Sequence, residues 1–66
     1  MGAESDRAEL STLRAQIADV AARVTNLAER YDQSPDSAIA ADLFAAERAL
    51  LAAQRSLQQA STELED

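Results

Sequence analysis

Twelve carboxylates, six arginines, one tyrosine and a scatter of serines are the groups in this 66-residue chain that could do chemistry. A serine nucleophile needs an adjacent base, and there is no His, Cys or Lys to serve Ser11, Ser34, Ser37, Ser56 or Ser61. Without His and Cys the commonest metal ligands are also missing. Glu4, Asp6 and Glu9 near the start, with Glu63, Glu65 and Asp66 at the end, would suit a hard cation or a basic partner. Their spacing matches no EF-hand loop, and a solvated acidic end is the better reading. Arg14, Arg23, Arg48 and Arg55 could clamp a phosphate, but they are scattered among acids and read as a solvated charged face. Catalysis is therefore not expected, and neither is a cofactor or a metal.

Composition narrows the partners. The formal charge is −6, so the chain repels phosphate backbones, and direct nucleic-acid binding is disfavoured. No apolar run approaches a membrane span or the hydrophobic core of a signal peptide, so no membrane role is expected. The opening Gly2-Ala3-Glu4-Ser5-Asp6 misses the myristoylation pattern, which wants Ser or Thr where Asp6 stands. All six bases are Arg, and the chain is rich in Ala, as in proteins from GC-rich bacterial genomes. The absence of Cys is compatible with a reducing cytoplasm.

Periodicity supplies the elements. Leu10, Leu13, Ile17, Val20, Val24, Leu27 and Tyr31 step 3-4-3-4-3-4, and Ile39, Leu43, Ala46, Leu50, Ala53, Leu57, Ala60 and Leu64 step 4-3-4-3-4-3-4. Each series is a heptad seam, an apolar stripe aimed at a partner helix along its whole length. Between them Asp32-Gln33-Ser34-Pro35-Asp36 carries a good N-cap, Ser34, before a proline suited to the first helical position. The expected organisation is a frayed 1–5 followed by one all-α domain over 6–66. Its parts are a helix over about 6–31, a turn over about 32–34 and a second helix over about 35–63. So short a connection makes the helices fold back as an antiparallel coiled-coil hairpin with an alanine-rich seam. Pairing positions that sum to 70 sets Leu13 against Leu57, Ile17 against Ala53, Val20 against Leu50 and Leu27 against Leu43.

Phe44 and Leu51 sit one position past the seam, seven residues apart, beside Ala40 and across from Ala18, Ala21 and Ala28. Either they widen the intramolecular core or they form a partner surface. Since nothing else in the chain covers them, the second reading is preferred. The expectation is a small acidic interaction module that dimerises through Ala18, Ala21, Ala28, Ala40, Phe44 and Leu51 into a four-helix bundle. Its role would be that of an adaptor, scaffold or regulatory subunit. The alternative is a monomeric hairpin that folds fully on a heterologous helix, regulating a partner such as a transcription or secretion component.

Overall fold

A computed structural model describes residues 2–65 of the chain; Met1 and Asp66, the outermost members of the expected frayed start and acidic end, lie outside them. The architecture is two long helices, α1 (Ala3–Asp32) and α2 (Ser37–Leu64), packed against each other, with no strand among the described residues. The hairpin is a rod of about 51 × 14 × 12 Å.

The first helix begins three residues earlier than the expected start at about residue 6. Extended Gly2 precedes it, and Asp6 donates its N–H to the Gly2 carbonyl at 3.2 Å. Nothing from Ala3 onward breaks a helix, and Glu4 and Asp6 in the first turn complement the positive helix end. At the turn, Ser34 acts on both helices. Its hydroxyl donates to the Tyr31 carbonyl at 2.8 Å and accepts the Asp36 N–H at 3.1 Å. Pro35 and Asp36 complete the reversal, so α2 opens at Ser37 rather than at the proline.

The open end carries a compensation that the expected acidic cluster does not suggest. Half-buried Arg7 donates from Nη1 to the carbonyl of Leu64 at 3.0 Å, placing a cation on the negative end of α2. Replacing it, Arg7→Gln, should cost about 0.5–1 kcal/mol and raise amide exchange rates in the last turn of α2. Unchanged exchange there would show that the cation contributes nothing.

Among the described residues three hydrogen bonds cross between the helices and report the register. They join Arg7 to Leu64, Arg14 to Gln54 and Thr25 to Glu47, pairs whose numbers sum to 71, 68 and 72. The antiparallel register is therefore close to the expected sum of 70. What differs is the rotation of each helix about its own axis. Toward α2, α1 presents Arg7, Leu10, Arg14, Ile17, Ala21, Val24 and Ala28, all buried or half-buried. In return α2 presents Ala40, Leu43, Glu47, Leu50, Gln54, Leu57, Ser61 and Leu64. One row of each expected seam is retained, Leu10/Ile17/Val24 and Leu43/Leu50/Leu57/Leu64. The other row is replaced by the residue one place further along the chain.

Packing explains the turn. The expected seam would set Leu13 on Leu57, Val20 on Leu50 and Leu27 on Leu43, large on large, holding the axes apart. With pairs summing to 71, Leu50 lies over Ala21 and Leu43 over Ala28, so the helices close where alanines meet leucines. Ala21, Ala28 and Ala40 are the buried residues among those described, with Ala28 at 0% exposure. The cost falls toward the open end, where the same row carries half-buried Arg7 and Arg14.

Candidate interaction surface

Rotation of the seam decides which side chains are left uncovered. With 100° per residue, Leu13, Val20 and Leu27 lie about 80° to one side of the line facing α2, and Ala18 about 80° to the other. On α2, Ile39, Ala46 and Ala53 stand on the first side, while Phe44 and Leu51 stand on the second. Like flanks meet across an antiparallel pair, so the hairpin has two distinct sides. Leu13, Val20, Leu27 and Ile39 share the broader side, each 38–43% exposed, while Tyr31, 37% exposed, ends the Leu10/Ile17/Val24 row beside the turn. No large side chain is fully buried anywhere among the described residues.

The six residues singled out from sequence divide three ways. Ala21, Ala28 and Ala40 are buried between α1 and α2 and have almost no surface left to offer. Phe44 is half-buried on the narrow side. Leu51 and Ala18 are exposed there. The structure thus brings Phe44, Leu51 and Ala18 to one flank, but it leaves the larger apolar area on the opposite one. Leu13, Val20 and Leu27 were legible as apolar and were assigned to the hairpin's own seam. The signal that relocates them is the alanine one place on from two of them, Ala21 and Ala28.

Polar groups cluster on the narrow side. Half-buried Thr25 lies with its hydroxyl against the Glu47 carboxylate and 3.0 Å from the Ala21 carbonyl, and it has one proton to give. Further along, Gln54 donates to the Arg14 carbonyl at a long 3.5 Å, and the Arg14 Nε is buried with no partner. A shallow groove of about 300 Å³ runs here between Arg14, Leu51, Gln54, Arg55 and Gln58. It is too open to exclude water, and it has no paired acid and base. The one ion pair among the described residues is exposed, Arg23 with Asp19 at 3.8 Å, and such pairs contribute little.

Among the described residues no helix is long and apolar enough to cross a membrane, and no three carboxylates converge to hold a metal ion. Comparison with protein-family models, curated proteins and solved structures finds no match to this chain.

Proposed function

We propose that the chain is a protein–protein interaction module, an adaptor, scaffold or regulatory subunit, whose core is completed by helices of another chain. The observation that carries this reading is the inversion of its apolar surface: among the described residues the three buried core residues are alanines, while four large side chains share one exposed side. A compact monomer of 7.1 kDa exposes about 4,100 Å² on the usual mass scaling; this hairpin exposes 4763 Å². Its own seam meanwhile spends positions on Arg14, Glu47 and Gln54. Small chains without disulfides or metals are commonly stabilised by association, and a second copy is the simplest associate. Two hairpins joined by their broad sides make a four-helix bundle.

Sedimentation equilibrium over a hundredfold concentration range tests this directly. The expected result is a dimer mass at the upper end, with a melting temperature that rises with concentration because association draws on the folded state. A monomer with a concentration-independent melt would instead support the second reading. In that case Phe44, half-buried, and Leu51, exposed on the narrow side, offer a short anchor for a heterologous helix.

A further inference from the structure

The broad side is not uniform, and its relief specifies how a partner sits on it. Leu13, Val20 and Leu27 form a ridge along α1; exposed Ala46 and Ala53 form a trough along the neighbouring edge of α2. The register sets ridge and trough at matching heights, Leu27 level with Ala46 and Val20 level with Ala53, to within about one helical half-turn. Ridge and trough lie side by side on one face, so the surface is complementary to itself.

Building on the dimer reading above, we propose that the partner is a second copy related by a two-fold axis parallel to the helices, with both turns at the same end. Rotation about that axis carries each α1 over the other copy's α2. Every ridge then drops into a trough, and every adjacent pair of helices in the bundle is antiparallel. A two-fold axis across the rod would instead lay α1 on α1, with Leu13 against Leu27 and Val20 against itself. That arrangement holds two helices apart on leucines and leaves a void over the facing alanines, the loss of packing that close-packed interiors avoid.

Area agrees with a two-copy assembly. A face of 51 × 14 Å is roughly 700 Å² in projection, so the pair buries about 1,400 Å² in all, within the range of stable interfaces. Charge opposes the arrangement without preventing it. The acids of the open ends, Glu4, Glu9 and Glu63 among them, are brought near their copies, so added salt should tighten the dimer.

The chain has no cysteine, so a single introduced thiol carries a spin label cleanly. Gln33→Cys labels the exposed turn, and Ser5→Cys, on an exposed position in the first turn of α1, labels the other end. The labelled full chains are measured by double electron–electron resonance, with sedimentation of the same samples. The expected result is a dimer in which both sites give distances within about 30 Å, as equivalent helix ends about 11–14 Å apart across the diagonal of a bundle with 8–10 Å neighbours, plus two label arms, require. A dimer with both distances near the 51 Å rod length would overturn the same-end arrangement while leaving the dimer reading intact. A monomer mass for both variants and for the unlabelled chain would overturn the two together.

Discussion

Val20→Glu combined with Leu27→Glu should convert the proposed dimer to monomers, weakening association at least ~100-fold. Each side chain is already about three-fifths covered by its own hairpin, with 42% and 38% of its surface exposed. Finishing that burial is worth roughly 0.6–1.2 kcal/mol per side chain, on a scale of 1.5–3 kcal/mol for full burial. Four such side chains meet in a dimer, giving about 2.5–5 kcal/mol, and the introduced carboxylates add a desolvation cost of their own. Because both positions flank the intramolecular seam rather than fill it, the variant should keep most of its helix by circular dichroism at high concentration. Leu51→Glu is the matched control: it is equally exposed, at 38%, but stands on the narrow side. It should leave the mass in solution unchanged. If Leu51→Glu dissociates the dimer and the Val20/Leu27 variant does not, the working surface is the Phe44–Leu51 flank.

What the sequence disclosed and what it withheld have one physical origin. A heptad series fixes that a helix has an apolar face and how long that face is. The two helices, their antiparallel course and a register near 70 could therefore be read from Leu10 to Leu64 alone. It does not fix which row of that face meets the partner within the chain. Leu10, Ile17 and Val24 have apolar Leu13, Val20 and Leu27 on one side of them. On the other they have Arg14, Ala21 and Ala28. Apolar counting prefers the first row; close approach of the helices prefers the alanines of the second. Near the turn close approach prevails, since Leu43 and Leu50 gain alanine floors. The arginine and glutamate further along are carried into the seam by helix continuity. For the same reason Ala21, Ala28 and Ala40, read as the floor of an outer patch, are buried in the inner contact. The Arg7 bond to Leu64 joins residues 57 positions apart, and no local spacing signals it.

Arg14 is where this competition leaves a buried donor without a partner, and Arg14→Leu should relieve it. In the seam Arg14 stands opposite Leu57 on the 71 register, half-buried, with its Nε out of contact with water and with no acceptor. Leaving a buried donor unpaired costs about 1–3 kcal/mol, and exchanging a buried charged side chain for a packed apolar one is often stabilising. Part of the arginine's packing comes from its stem and is kept by leucine, so the expected gain is about 1–2 kcal/mol. For a chain this small each kcal/mol raises the melting temperature by about 4–8 °C. A thermal melt at fixed concentration should therefore shift upward by roughly 5–15 °C. The position faces away from the broad side, so the dimer dissociation constant should move by no more than a few fold. The same substitution separates the two possible seams. Were Leu13, Val20 and Leu27 the inner row, Arg14 would project into solvent, and Arg14→Leu would leave the melting temperature where it was.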